Sequence, residues 1–407
     1  MHFSLVFRNA FFQFISRAST TFVGLITTLL IARHFGASGF GDFTKVTVYI
    51  GFFYLLVDFG LNAIYLKKRK KVFAELFYTR LIFSLIAFVL AILISIFLPY
   101  SESSEIGFSD FLKVGIFVFG FSIFNQGLLL SSSAIFQKRF TYQNLFISQI
   151  VGSFINLLLV IFLISNNFSL IYIFLSFVVS GFVSGLISLF LTGEKFIPKS
   201  FNIDRNLIIR SAPLGLMLIF NLLYFRADML ILSYFKTSAE VGIYGLTYRF
   251  FDFLLAIPLF LSNALYPIML RDIKNPRKTY RIFKNYSFVF ISFSLVLIAI
   301  FWFSSPLFNL IKSDFTSAIH PFRVLLLSLP LFFITSLIQW FLISFEMQKR
   351  LMFIYLFSAV LNIVLNLIFI PKEGYMAAAY ITLISEFLVM ISFFAILFKK
   401  NFFRMGV

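Results

Sequence analysis

The sequence predicts an all-α polytopic membrane protein with twelve transmembrane helices in two parallel six-helix lobes around a central cavity. Three observations carry this. Of its 407 residues, 60% are hydrophobic and 12% charged, against roughly 45–50% and about 25% in soluble domains. Apolar runs of about 20 residues, the length a helix needs to cross the hydrocarbon core, recur from end to end. One stretch is also stated twice. Phe35-Gly36-Ala37-Ser38-Gly39-Phe40-Gly41-Asp42-Phe43 is echoed by Phe235-Lys236-Thr237-Ser238-Ala239-Glu240-Val241-Gly242-Ile243-Tyr244, with one residue inserted.

The first predicted span, 9–33, carries Arg17 and then Thr20, Thr21, Gly24, Thr27 and Thr28. The segment before it has one Arg and no small-residue cleavage site, so it reads as part of a retained span and not as a signal peptide. A short Gly-rich turn leads to the second span, 43–66, which holds Asp58. Spans follow at 78–98, 113–136, 142–165 and 168–191. The longest inner polar connection, 192–208, falls near the midpoint. Beyond it lie 209–234, 242–270, 286–310, 322–345, 351–370 and 375–398. The two lobes are therefore expected at 1–200 and 201–407. An even number of spans per half starts both halves on the same side, so the repeats are parallel, related by an axis along the membrane normal. Transporters built this way bind substrate near the midplane between their halves. A barrel would need strands of alternating polarity, which are absent.

The net charge of +18 would suggest nucleic acid in a soluble chain. Here its location excludes that partner. With a cytoplasmic N-terminus, one alternating set of connections and ends holds 23 Lys and Arg, including 67–71, and the other set holds 7. Such an imbalance places the basic side, and with it both termini, in the cytoplasm. The acidic loop 101–110 falls on the poor side. The basic loops suit anionic lipid of the inner leaflet. With no cysteine, disulfides do not enter.

A charge at mid-bilayer is costly, about 2.5–3.5 kcal/mol on insertion scales, and marks a pathway by default. Arg17, Thr20, Gly24 and Thr27 share one helical stripe, expected to face a wet cavity; a snorkelling Arg with packing threonines is the blander reading. Asp58 is a partner for Arg17 or a protonatable site. In the seventh span Asn221, Tyr224 and Asp228 form a stripe, and Arg226 points about 200° away on an ideal helix. Both charges can face one cavity only if the helix distorts, and Pro213 offers a place for that. Arg249 and Asp252 stand at i and i+3, so they either pair or present a cation to substrate. Arg80 is expected to anchor at the inner surface. Glu386, near the middle of the last span, is a candidate proton or cation site together with Asp58. Polar seams run along Gln149, Ser153 and Asn156, and along Ser358, Asn362 and Asn366; such seams serve as packing contacts as often as pathways.

No enzyme emerges. His2, His34 and His320 are too scattered for a metal site, no Walker motif is present, and no G-x-S-x-G elbow occurs. No cofactor is expected.

The segment ARHFGASGFGDF, with Ala32, Arg33, Gly36, Phe40, Gly41 and Phe43, followed by Asp58-Phe59-Gly60-Leu61, resembles the first hairpin of the bacterial polysaccharide-biosynthesis flippases. These are the O-antigen repeat-unit exporters of the multidrug/oligosaccharidyl-lipid/polysaccharide superfamily. Arg226-Ala227-Asp228, Val241-Gly242-Ile243-Tyr244 and Tyr248-Arg249 extend the likeness into the second half. The resemblance implies inner-membrane translocation of an undecaprenyl-diphosphate-linked oligosaccharide by alternating access, through a cationic lumen in which Arg17 would stand. It also implies work beside a polysaccharide polymerase and, for coupling, a proton or sodium gradient. Charges within the spans cancel, so counting alone does not reveal that lumen. A cation-coupled multidrug exporter of the same superfamily is the alternative; the lack of an acid in the first span speaks against it.

Overall fold

The computed structural model describes residues 2–67, 73–194, 205–271 and 276–399. The Arg17 side chain, the basic run 68–71, most of the connection 192–208 and the C-terminal basic residues from 400 onward lie outside the described residues.

The described chain is almost entirely helical. Its helices are α1 His2–Asp58, α2 Leu61–Lys67, α3 Phe73–Ile96, α4 Asp110–Gly120, α5 Ser122–Arg139, α6 Tyr142–Ser165 and α7 Leu170–Thr192. Then come α8 Arg205–Phe235, α9 Ser238–Arg271, α10 Pro276–Ser304, α11 Phe308–Ile311, α12 Ile319–Ser344, α13 Gln348–Glu373 and α14 Tyr375–Lys399. The acidic loop folds into a small antiparallel hairpin, β1 Tyr100–Ser101 with β2 Ile106–Gly107.

Among the described residues, eleven helices are long and apolar enough to cross a membrane, where the sequence predicts twelve spans. The difference lies at the start. The predicted spans 9–33 and 43–66 both fall in one helical run. Unbroken, the 57 residues of α1 would reach about 85 Å at 1.5 Å per residue, nearly three times a hydrocarbon core of about 30 Å. The run is broken at Gly36, whose φ of 69° and ψ of −171° belong to a region only glycine enters without strain. The expected Gly-rich turn thus contracts to one residue, and helix resumes at once. At the other end, Phe59 and Gly60 take positive φ and separate α1 from α2.

Two compact units account for the chain: Met1–Ile219 with Thr237–Gly242, and Phe220–Lys236 with Ile243–Val407. In the first, α6 and α7 approach closely through small residues. A methyl group on Gly152 would lie 2.6 Å from the Ser184 Cβ, and the Ser184 hydroxyl donates to the Ser148 carbonyl at 2.8 Å. Asn125 of α5 donates to the Val178 carbonyl of α7 at 2.9 Å. Close approach of small residues with interhelical hydrogen bonds is how helices associate where apolar burial gives no net drive. In the second unit α12 is the central helix, packed against α10 and α14. Ser336 of α12 bonds Ser262 of α9 at 2.9 Å.

The two echoing turns meet within the first unit. A Cβ on Gly41 would stand 1.6 Å from the Ser238 carbonyl oxygen, and one on Gly242 would stand 1.9 Å from the Ala37 carbonyl oxygen. The contact is reciprocal, as the internal repeat requires. It is flanked by a side-chain hydrogen bond between Asp42 and Ser238, by the fully buried Lys45 donating to the Gly107 carbonyl at 2.8 Å, and by a bridge between Ile106 and Thr237.

Arg80 is no surface anchor. It is fully buried. Its guanidinium donates to the Val57 carbonyl at 3.1 Å, to Ser131 at 3.3 Å and to Asn62 at 2.9 Å. Val57 stands in the last turn of α1, where carbonyls lack helical partners. Asp58, which accepts from the Gly60 backbone, lies within electrostatic reach of the same guanidinium. The arginine therefore ties α3 to the end of α1, to α2 and to α5.

Two stability predictions follow from these contacts. Gly41→Ala should destabilise the detergent-purified protein by roughly 3 kcal/mol or more, the upper end of overpacking penalties, because the obstacle is backbone. Gly51→Ala, where a methyl group meets nothing within 4 Å, should leave the thermal midpoint unchanged or slightly raised. Equal midpoints for the two variants would refute the close crossing. Arg80→Met should lower stability by about 3 kcal/mol, since several hydrogen bonds to a charged group go and their partners stay buried; an unchanged melting curve would return Arg80 to a passive role.

Candidate functional site

In the second unit, α8 and α9 bring the predicted charges together in an arrangement that helical spacing did not give. Asp252 pairs with Arg226 at 2.6 Å, and not with Arg249 three residues away. Each side chain of the pair keeps about a third of its surface exposed, 32% and 30%. The Arg226 guanidinium also lies over the Tyr248 ring, 5.1 Å from its centroid, a favourable site for a cation. The Tyr248 hydroxyl donates to the Phe225 carbonyl at 3.3 Å.

This pairing leaves Arg249 over. Its side chain is exposed and, among the described residues, it makes no ion pair. It remains within electrostatic reach of Asp252 and Arg226. Two arginines and one aspartate thus stand together on α8 and α9, two helices apolar enough to span a membrane, and Asp228 lies within electrostatic reach of Arg226 and Asp252.

Among the described residues Asp228 makes no direct ion pair with either arginine. It is buried, accepts from the Tyr244 hydroxyl at 2.7 Å and takes the Met229 backbone N–H at 2.7 Å. Asn221, one turn before Tyr224, is half-buried.

Glu386 forms a second cluster. It is 2% exposed. One carboxylate oxygen accepts from the Tyr224 hydroxyl at 2.6 Å, and the other from the Thr335 hydroxyl of α12. It borders a cavity of about 70 Å³ with Gln339, Ser336 and Tyr355, walled by Phe225 and Phe332. The Tyr355 hydroxyl donates to Gln339 at 3.0 Å. Behind the carboxylate, Asn362 donates to Ser385 at 3.1 Å, and Asn366 donates to Asn362. A buried carboxylate held by two hydroxyl donors beside a small, largely apolar cavity can exchange a proton or contact a small cation.

In the first unit, Thr20, Gly24 and Thr27 line a cavity of about 290 Å³ together with Gln149, Ser153 and Asn156. The stripe on the first predicted span and the seam on the fifth are therefore two walls of one space. Asp58 stands elsewhere, with Arg80. The Arg17 side chain, its expected partner, lies outside the described residues. Among the described residues no group of three or more His, Asp or Glu is placed to hold a metal.

Sequence reasoning did not single out Thr335, Gln339 or Tyr355. The polar cluster Thr335, Ser336 and Gln339 near the middle of the largely apolar tenth span was the available signal.

A family model described as polysaccharide biosynthesis protein matches residues 6–273, more than half of the chain. A second, MatE, matches residues 213–368. No curated protein sequence matches the chain. Among solved structures, the fold is similar to the lipid II flippase MurJ in an inward closed conformation. The two are 16% identical over 97% of this chain and 90% of that one, with a TM-score of 0.79. It is also similar to an inward-facing multidrug resistance transporter of the MATE family and MOP superfamily, 14% identical over 95% of each chain, with a TM-score of 0.76. A MOP superfamily transporter from Pyrococcus furiosus is 14% identical over 99% of this chain and 96% of that one, with a TM-score of 0.65. With the family model matched over 6–273, the chain belongs to the polysaccharide biosynthesis protein family.

Proposed function

We propose that the protein is a flippase that carries an undecaprenyl-diphosphate-linked oligosaccharide, an O-antigen or other surface-polysaccharide repeat unit, from the inner to the outer leaflet of the bacterial cytoplasmic membrane. It works by alternating access between an N-terminal lobe, 1–200, and a C-terminal lobe, 201–407, with twelve crossings and both termini in the cytoplasm. The observation that carries this reading is Arg249, an exposed arginine without an ion pair among the described residues, beside the Arg226–Asp252 pair. A cation held open at membrane depth is expensive, and its natural complement is an anion such as a diphosphate, which guanidinium binds through charge-assisted, bidentate hydrogen bonds. The lipid tail stays in the bilayer while the charged head crosses. Arg17 is assigned to the same lumen. Asn221, half-buried, is assigned to the same cavity, while Tyr224 and Asp228, assigned there by the sequence, are buried and act from behind it through their bonds to Glu386 and Tyr244; the delivered product meets the polymerase.

Glu386 and Asp58 are the candidate coupling sites for a proton or sodium gradient. Of the two, Glu386 has the stronger support, because it is buried, doubly hydrogen-bonded and next to a cavity. The same residue favours a second reading, a cation-coupled multidrug exporter, as does the MatE match over 213–368. A buried acid beside aromatic walls suits an organic cation.

Complementation of a strain lacking its own O-antigen flippase separates the two. Wild type should restore polymerised glycan at the surface. Arg249→Ala at equal expression should lower it about tenfold or more, the loss expected for hydrogen bonds to a charged group worth about 1.5–3 kcal/mol, and Arg17→Ala should also lower it. Full rescue by Arg249→Ala would remove the diphosphate assignment. Drug resistance without glycan rescue would establish the exporter instead. For coupling, proteoliposomes holding Glu386→Gln should transfer lipid-linked sugar at a rate independent of an imposed proton or sodium gradient, while wild type responds. A mutant that still follows the gradient would clear Glu386 of that role.

A further inference from the structure

The cavity of about 290 Å³ in the first unit has a lining unlike the arginine patch. Among the described side chains no ionisable group borders it; its walls are hydroxyls, two carboxamides, glycines and a few apolar groups. Gln149, Ser153 and Asn156 sit near the middle of α6, roughly 10–20 Å along the helix from its start at 1.5 Å per residue. Polar groups at that depth serve either as packing contacts or as the wall of a wet space. Gly24 decides between these for the α1 side. A methyl group there would meet nothing within 4 Å, so this face of α1 is open and not pressed against a neighbouring helix.

The hydrogen-bond directions say what the space lacks. The hydroxyl of Thr27 donates to the Val23 carbonyl at 2.9 Å, and that of Ser153 to the Gln149 carbonyl at 2.8 Å. Those of Ser180 and Ser184 donate to the carbonyls of Phe177 and Ser148. With their protons committed to backbone, these four oxygens offer only lone pairs to the cavity. Asn156 accepts from Ser176 at 3.2 Å through its carbonyl, which leaves its amide N–H groups as donors. The half-buried Phe177 ring completes one wall. The site therefore suits an uncharged ligand with many O–H donors, some acceptors and an apolar face to lie on an aromatic ring. Among the described side chains, a metal or organic cation would find no carboxylate, and an anion no cation. The volume is at the lower end of the range for ligand pockets, about 300–1,000 Å³, which fits a sugar ring and not a long chain.

We infer that this cavity is a binding site for a neutral sugar ring of the cargo, separate from the arginine patch assigned to the diphosphate. This deepens the flippase reading and rests on it for the identity of the cargo.

The test uses the full chain in lipid nanodiscs and three probes: undecaprenyl diphosphate, the same carrier bearing one neutral hexose, and tetraphenylphosphonium. Wild type should bind the glycosylated carrier at least tenfold more tightly than the bare one, a difference of about 1.4 kcal/mol and within reach of one or two net hydrogen bonds. Gly24→Leu, which fills open space, should abolish that preference and leave the affinity for bare carrier within about twofold. Asn156→Ala, which removes a carboxamide without adding bulk, should reduce the preference severalfold. Equal binding of the two carriers by wild type, or an undiminished preference in both variants, overturns the sugar site and leaves the flippase reading intact. Displacement of the glycosylated carrier by tetraphenylphosphonium in wild type but not in Gly24→Leu shows a cation pocket and overturns it as well. Binding of neither carrier overturns the flippase reading, and this assignment with it.

Discussion

In hydrocarbon every polar group must find its partner within the protein or face a wet space, because no solvent waits to replace one. That constraint orders the structure. Arg80 meets it with a carbonyl, a hydroxyl and an amide oxygen. Asp228 meets it with a tyrosine hydroxyl and a backbone N–H. Glu386 meets it with two hydroxyls. These groups are expensive to strip from water, and the bonds they make recover much of that loss. The exceptions carry the functional argument. Arg249 stays exposed, and the cavity in the first unit keeps unfilled acceptors.

The echoing hairpins show the same economy in backbone. Gly36 breaks a run too long for one crossing, and Gly41 and Gly242 let two helical turns come within backbone contact. A contact made of carbonyls and glycine Cα atoms has few side-chain rotamers to repack. Lys45, Asp42 and Ser238 surround it with polar bonds. They add side-chain bonds beside the backbone contact.

Division of labour between charge and neutrality gives the transport reading its internal logic. A diphosphate calls for guanidinium. A sugar calls for uncharged donors and acceptors at fixed positions. A coupling ion calls for a carboxylate in a small space. The described residues supply each in a different place: the α8–α9 patch, the α1–α6–α7 cavity, and the Glu386 cluster. No single pocket has to satisfy three incompatible chemistries.

Much of this was legible in the sequence. Hydropathy reports burial in lipid directly, so the helical class and most span positions could be read off, and the repeated hairpin marked the family. The stripe Thr20, Gly24, Thr27 and the seam Gln149, Ser153, Asn156 were visible as polar faces. Periodicity, however, reports which way a residue faces, not what it meets. Tyr224 and Glu386 are 162 residues apart, and nothing local links them. Arg226 takes Asp252 from a neighbouring helix although Arg249 is nearer in sequence, and Arg80 is drawn inside although its position suggested a surface anchor. Composition and spacing by themselves determined that this chain is a helical protein that crosses a membrane many times, with charges placed inside its apolar spans. Only the packing of helix on helix decided which of those charges are neutralised and which are left to act, because partner choice depends on contacts between distant segments that no local pattern encodes.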